Sequence, residues 1–310
     1  MYNSATANSK LEYDVSKTRR VMLDVIIALA PAVIAAVVFF GFKAAIMIAV
    51  CVGTSVISEF LFCKICKRPQ TAGDLSAVVT GLLLALNLST NVTVWQCLVG
   101  AAFAIVIIKC AFGGYGYNFA NPAVAARVFL LIAFTEVAGG AMTGFAELES
   151  GATPLAILKG EAGELPSILD MLIGNRGGAI GETCAIALLI GGIYLIVRKV
   201  ISWHIPVVYI GGVFLLSLAF GGDITNALYH TLGGGLIIGA VFMATDPITS
   251  PKKGLGKIVF ALGCAVITVL IRFYGSYPEG ASFAILLMNI LCPYVDRMFE
   301  KKQKNEEVDK

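Results

Sequence analysis

Charge is what this sequence has least of. Asp, Glu, Lys and Arg make up 14% of its 310 residues, against about 25% in soluble domains. That shortfall excludes a water-soluble fold, which must cover its core with polar groups. Histidine occurs only at positions 204 and 230, so a four-ligand zinc or iron–sulfur site would have few partners to add to the cysteines. Of the eight cysteines, most lie inside apolar runs, where a thiol acts as a small hydrophobe. The one close pair, Cys63-Lys-Ile-Cys66, reads as a structural feature of a helix end, and no disulfide framework is legible. No Gly-rich segment stands between a strand and a helix, which excludes a P-loop, a dinucleotide fingerprint and hence an NADH site. The net charge of +3 comes without a basic cluster, so no nucleic-acid partner is expected.

What remains is 58% hydrophobic, and lipid is the solvent that accepts it. Ten apolar segments run near 21–40, 44–62, 75–88, 93–111, 122–138, 181–197, 205–220, 226–244, 256–273 and 280–296. Most reach the ~20 residues that carry a helix across a bilayer; the third and the eighth are short and rich in Gly and Thr. The sequence therefore predicts an all-α integral membrane protein of about ten transmembrane helices. No small-residue cleavage site follows a short apolar core, so the first run is expected to be a retained helix. Placing the N-terminus in the cytoplasm puts 18 of the 23 Lys and Arg residues on cytoplasmic connections, with Lys43, Lys159, Arg176 and Arg272 outside and Arg127 within a span. That bias fixes the orientation, with both termini cytoplasmic. The chain divides into a cytoplasmic tail (1–20), a first five-helix half (21–138), an extracytoplasmic loop (139–180), a second five-helix half (181–296) and a charged cytoplasmic tail (297–310).

The two halves rhyme. Phe112-Gly-Gly-Tyr115 lies between spans four and five, and Tyr274-Gly-Ser-Tyr277 between spans nine and ten; the short run Gly81–Asn87 matches Gly239–Thr245. With five spans in each half, the second copy must be inverted. Short, Gly-interrupted segments at matching places in inverted halves point to a buried binding site. The remaining Gly runs let helices approach closely, and Trp95 and Trp203 are interface anchors.

Ionisable residues inside spans are costly and therefore informative. Asp24 and Glu59 are expected to anchor at the interface, Asp24 beside Arg19 or Arg20 and Glu59 beside Lys64. Arg127, inside span five, and Asp246, ending span eight, are candidates for a cofactor, ion or partner role. Asn118 and Asn121 either line the same cytoplasmic vestibule or cap span five. In the long loop, Thr153 is a good helix N-cap and Pro154 suits the first helical position, with one or two turns to Gly160. A helix start gathers unpaired backbone donors and suits a phosphate, but Ser-Gly-Ala-Thr-Pro is also an ordinary way to begin a helix.

Ser150-Gly-Ala-Thr153 resembles the flavinylation motif in which FMN phosphate is esterified to the threonine hydroxyl, with Ser150, Gly151 and Ala152 as the attachment sequence. Its place after the fifth span is similar to the family containing the D subunit of Rnf electron-transport complexes and, in a related branch, the B subunit of the sodium-translocating NADH:quinone reductase. Thr71-Ala-Gly-Asp-Leu-Ser76, Gly113-Gly-Tyr-Gly-Tyr-Asn-Phe-Ala-Asn-Pro-Ala123 with Arg127, and Ala244-Thr-Asp-Pro-Ile-Thr-Ser-Pro251 extend the likeness over most of the chain. The motif often has Asp six residues before the threonine; Glu147 stands there and keeps the carboxylate.

The resemblance implies covalent FMN at Thr153 on the outer face of a bacterial cytoplasmic membrane, and a second, non-covalent riboflavin, with Arg127, Asn118, Asn121 and Asp246 as further cofactor-binding candidates. It also implies a urea- or ammonium-channel-like fold of two inverted halves, and partners in the flavin-bearing G subunit and the membrane A and E subunits. The function so implied is a flavin-carrying subunit of a complex that couples electron transfer between ferredoxin and NAD+ to Na+ or H+ export, a part of a redox pump and not an independent catalyst. A reductase-type subunit, a channel or secondary transporter of urea-transporter-like fold, and a cofactor-free structural subunit are the alternatives; of these classes only a redox subunit accounts for Ser150–Thr153.

Overall fold

A computed structural model describes residues 15–134, 141–142, 150–182 and 184–308. The first helix, α1 (Val15–Ile65), starts inside the expected tail and carries a non-helical residue at Gly41 (φ 66°, ψ −152°), so it is two helices joined at a kink. At 1.5 Å per residue each part exceeds the ~30 Å hydrocarbon core of a bilayer. A 3-10 turn (Ala72–Asp74) leads into α2 (Ser76–Leu86). Next come α3 (Val94–Ala102), which continues as π-helix through Phe103–Cys110, and α4 (Pro122–Ala133). Two-residue strands β1 (Ala141–Met142) and β2 (Ser150–Gly151) pair antiparallel, with Ala141 opposite Gly151 and Met142 opposite Ser150. Short helices α5 (Pro154–Leu158) and α6 (Ile168–Ile173) follow. The rest comprises α7 (Ala185–Val197), α8 (His204–Gly221), α9 (Ile224–Leu232), α10 (Leu236–Ile238, continuing as π-helix to Met243), α11 (Gly254–Tyr274) and α12 (Ala281–Val308).

Among the described residues, α1, α8, α11 and the Ala281–Phe299 part of α12 are long and apolar enough to cross a membrane. The bent pair α9–α10, which turns by 61°, makes a fifth, and four shorter apolar helices accompany them. Burial sorts these elements by role. Every residue of α2 except Val78 is buried, and so is the whole of Leu236–Met243. A helix apolar and buried all round belongs to a core. The long helices instead expose large apolar side chains, among them Ile34, Val38, Phe42, Ile57, Ile193 and Leu215. An exposed apolar surface that extensive is one made for lipid.

The same order of elements occurs twice. Each half has two helices, then a broken short one, then two more. The breaks match in backbone geometry: Leu75 has φ 66° between the 3-10 turn and α2, and Gly234 has φ 66° between α9 and α10. In each half the basic residue of the fourth helix folds back onto the break. Lys109 Nζ donates to Ser76 Oγ at 2.6 Å, and Arg272 donates to the carbonyls of His230 and Gly233, the latter at 3.1 Å. The far ends of the short helices also match, with Asn87 Nδ2 donating to Leu83 O (2.7 Å) and Thr245 Oγ1 to Val241 O (2.5 Å).

Local chemistry sets the helix starts. Asn121 caps α4, accepting from Ala123 N (3.0 Å) and Val124 N (3.4 Å), with Pro122 following. Thr93 and Gln96 make a capping box on α3. Close helix approach depends on small residues. A Cβ on Gly191 of α7 would press on the carbonyl oxygen of Ala28 in α1, and backbone cannot yield as a side chain does. Gly191→Leu is therefore expected to destabilise the bundle by about 1–3 kcal/mol, read as a lowered unfolding midpoint in detergent, whereas at Gly53, where nothing lies within 4 Å, Ala should be neutral.

Candidate functional site

Thr153 is the N-cap of α5, in extended conformation (φ −67°, ψ 152°), and its Oγ1 accepts from Ala156 N at 3.2 Å. The cap uses a lone pair of the oxygen and leaves the hydroxyl proton, the atom an ester would replace. Leu155, two residues on, seats the segment in the break between α9 and α10, where a Cβ on Gly234 would lie 2.8 Å from it. Lys159 Nζ pins the other end of α5, donating to the carbonyls of Ile271 (3.2 Å), Gly275 (2.5 Å) and Tyr277 (2.6 Å). The half-buried Thr153 thus stands at the edge of a cavity of about 570 Å³, lined also by Asn87, Ser89, Arg127, Glu182, Tyr277 and Glu279.

Arg127 organises that cavity. Its Nη1 donates to Asn87 Oδ1 at 2.6 Å and its Nη2 pairs with the Glu279 carboxylate, which also accepts from the Gly235 amide. A side chain on Gly235 would collide with Arg127 at 2.7 Å and Glu279 at 2.8 Å, so glycine at the break gives these groups their place. Arg176 Nη2 donates to the carbonyls of Glu182 and Leu232, both at 2.8 Å. Glu182, just before α7 begins, is buried; burial raises its carboxyl to about 7, the charge of Glu279 adding to the rise and Arg127 and Arg176 opposing it. Three buried arginines (Arg127, Arg176, Arg272) therefore act on two carboxylates (Glu182, Glu279), and of the three Arg127 shares the cavity wall with Thr153.

A second cavity, about 700 Å³, opens at the other end of α2. Ser76, Thr80, Lys109, Tyr115, Asn118, Asn121 and Asp246 border it together with apolar side chains of α1 and α7. Burial raises the Asp246 carboxyl to about 6, against the opposing effect of its bonds with Thr249 Oγ1 (3.0 Å) and Ile248 N (3.4 Å). Met243 stands between the two cavities: Asn87 Nδ2 reaches its sulfur at 3.6 Å and Asn121 Nδ2 its carbonyl at 3.3 Å.

The sequence-derived candidates thus fall into two groups. Asn118, Asn121 and Asp246 share a vestibule, and Asn121 is a helix cap as well; Arg127 does not join them but lies with Thr153 in the other cavity. Ser150 and Gly151 lie in β2 and Ala152 leads into α5; Glu147 lies outside the described residues. One expected partner differs and one expectation is overturned. Asp24 pairs with Arg198 (3.2 Å) and Tyr194 Oη (3.0 Å), not with Arg19 or Arg20. Glu59 is no interface anchor: it is fully buried and bonded to Lys109 Nζ, 2.9 Å from both carboxylate oxygens. Sequence reading passed over Glu182, Arg176 and Glu279. Their one signal is charge in Gly-rich connections flanking apolar runs, which reads as a solvated loop.

The model of the NQR2, RnfD, RnfE family matches residues 6–305. The chain is 46% identical to the D subunit of the Na+-translocating ferredoxin:NAD+ oxidoreductase complex of Acetobacterium woodii, over 92% of this chain and 90% of the relative. It is 38% identical to the D subunit of the proton-translocating ferredoxin:NAD+ oxidoreductase complex of Clostridium ljungdahlii, over 95% and 93%. The D subunit of the ion-translocating oxidoreductase complex of Halorhodospira halophila is 37% identical, over 89% and 88%.

Proposed function

This chain belongs to the NQR2, RnfD, RnfE family, and from that premise we propose that it is the flavin-carrying membrane subunit of an Rnf-type complex coupling electron transfer between ferredoxin and NAD+ to ion translocation. Two of the relatives are named as D subunits of ion-translocating ferredoxin:NAD+ oxidoreductase complexes and the third as the D subunit of an ion-translocating oxidoreductase complex. The observation that carries the flavin assignment is the setting of Thr153: it caps α5 with its hydroxyl proton free for esterification and borders a cavity whose wall carries the buried Arg127. Arg127 is the cation on the cavity wall that can face a phosphodiester at Thr153.

In this reading Thr153 holds FMN covalently and is an attachment point; Ser150, Gly151 and Ala152 form the sequence recognised for attachment. Bound flavin supplies one- and two-electron chemistry. The chain's residues do the rest. Arg127, fixed by Asn87 and Glu279, presents positive charge to the cavity, and the Leu155 and Lys159 contacts keep the attachment segment in place. Asn118, Asn121 and Asp246 border the space for a second, non-covalent riboflavin. The repeated order of elements, the matched breaks at Leu75 and Gly234 and the matched Lys109 and Arg272 support ten spans in two inverted, channel-like halves, once α1 is counted as two. The basic bias puts both termini in the cytoplasm of a bacterial cell and Thr153 outside, facing the G subunit's flavin, with the A and E subunits as membrane neighbours.

Mass spectrometry of the peptide containing Thr153, from the complex isolated from its own membrane, tests this. A mass gain equal to FMN less water is the expected result; an unmodified peptide in an active complex overturns the assignment.

A further inference from the structure

The outer cavity contains a carboxyl group that cofactor attachment does not use. Glu182 is 5% exposed, borders the cavity with Thr153, and its Oε2 has no hydrogen-bond partner among the described residues. Gly178 makes the room for it, since a Cβ there would lie 2.7 Å from Oε1. The charges facing it come from four places: Arg127 on α4, Arg176 on the α6–α7 connection, Arg272 on α11 and Glu279 before α12.

Each arginine hydrogen-bonds other groups. Arg127 serves Asn87 and Glu279, Arg272 serves the carbonyls of His230 and Gly233, and Arg176 Nη2 serves the carbonyls of Glu182 itself and Leu232. A buried carboxylate without a donor on one oxygen is poorly solvated when ionised. Its protonation state is then decided by whatever charge arrives nearby.

We propose that Glu182 is a redox-linked proton-binding site: it takes up one proton when an electron enters the flavin carried at Thr153 and releases it when the electron leaves. This rests on the reading of Thr153 given above. The electron comes from the reduced flavin of a partner subunit and the proton from water at the outer mouth of the cavity. One O–H bond forms on Glu182 and the water gives up the proton; both changes reverse when the electron departs, so charge and atoms balance. The cause is Coulombic. Added negative charge near an underdonated carboxylate raises its proton affinity, and by linkage the bound proton raises the affinity for the electron.

The sign follows. At low pH Glu182 is protonated in both redox states, so Glu182→Gln, a neutral isostere, should have the wild-type midpoint potential. At higher pH the wild-type carboxylate opposes the electron, and the wild-type potential should fall below that of the variant by a gap that widens with pH. Glu182→Asp should retain the pH-dependent gap from the Gln variant. Potentiometry of the Thr153-linked flavin in the intact complex reads this, with in-gel flavin fluorescence reporting occupancy. A fluorescent band with a constant or absent gap overturns the proposal alone. A dark wild-type band overturns the reading of Thr153 and the proposal with it. Should the Gln variant fail to assemble, the redox-difference infrared spectrum of the wild-type complex decides: a carboxylic-acid C=O band gained on reduction is expected, and its absence overturns the proposal.

Discussion

Thr153→Ala should yield a folded, membrane-inserted chain with no flavin fluorescence on a denaturing gel, in a complex whose ferredoxin:NAD+ activity has fallen to background. Two separate losses meet at this side chain and differ in size. The structural one is small: the hydroxyl caps α5 through Ala156 N at 3.2 Å, and losing an N-cap costs about 1 kcal/mol. Moreover α5 is held independently, by Leu155 in the α9–α10 break and by Lys159 on carbonyls at and just beyond the end of α11. On the proposed attachment the chemical loss is total, because alanine has no atom that can form the ester and a carrier missing from a series of carriers would stop the flow. Thr153→Ser separates the two. It restores both a cap and a hydroxyl, so an unmodified Ser variant would show that the attachment chemistry demands threonine, while a modified one returns activity. A Thr153→Ala chain that still fluoresces would show that the flavin sits on another residue, and one with wild-type activity would show that no carrier is attached there.

Much of this arrangement is written along the chain. Lipid is a simple solvent, and runs such as 205–220 and 256–273 announce α8 and α11 with little ambiguity because nothing else explains so much contiguous apolar sequence. The two segments that read as too short and too rich in Gly and Thr are the two that the structure breaks, at Leu75 and Gly234. Asn121-Pro122 and Thr153-Pro154 start α4 and α5 because N-caps are local chemistry. What the sequence conceals is pairing across distance. Glu59 reads as an anchor because Lys64 is near in sequence, yet its partner Lys109 is fifty residues away. Asp24 finds Arg198 from the other half. Thr153 and Arg127 are each visible as candidates, but only the folded bundle places them on one cavity and sends Asn118, Asn121 and Asp246 to the other. Glu182 is hidden for the opposite reason: a carboxylate beside an apolar run looks solvated until the connection around it is seen to fold inward.

Lys109→Met should be among the most destabilising single substitutions in the protein, lowering stability by about 3–5 kcal/mol. Lys109 and Glu59 are 2% and 0% exposed and sit 2.9 Å apart. The lysine ammonium also donates to Ser76 Oγ, whose own hydroxyl donates to the buried Asp74, while Thr71 Oγ1 donates to Glu59 at 2.5 Å. Methionine fills a similar volume, so the cost is not a cavity but the uncompensated charge left on Glu59, with Asp74 close by in the same network and no cation replacing Lys109. The double variant Lys109→Met/Glu59→Gln removes that charge. It should recover most of the loss, since a buried ion pair and a neutral pair of like volume are often nearly equal in stability. Unfolding in detergent of the wild type, both single variants and the double variant forms a cycle that measures this coupling directly. If the double variant is as unstable as the sum of the singles, the pair is not coupled and Lys109 holds the break at Leu75 through Ser76 alone. If the double is stable, the network is an electrostatic clasp that fixes the third helix of the first half against α1 and α3, as Arg272 fixes its counterpart in the second half through the carbonyls of His230 and Gly233.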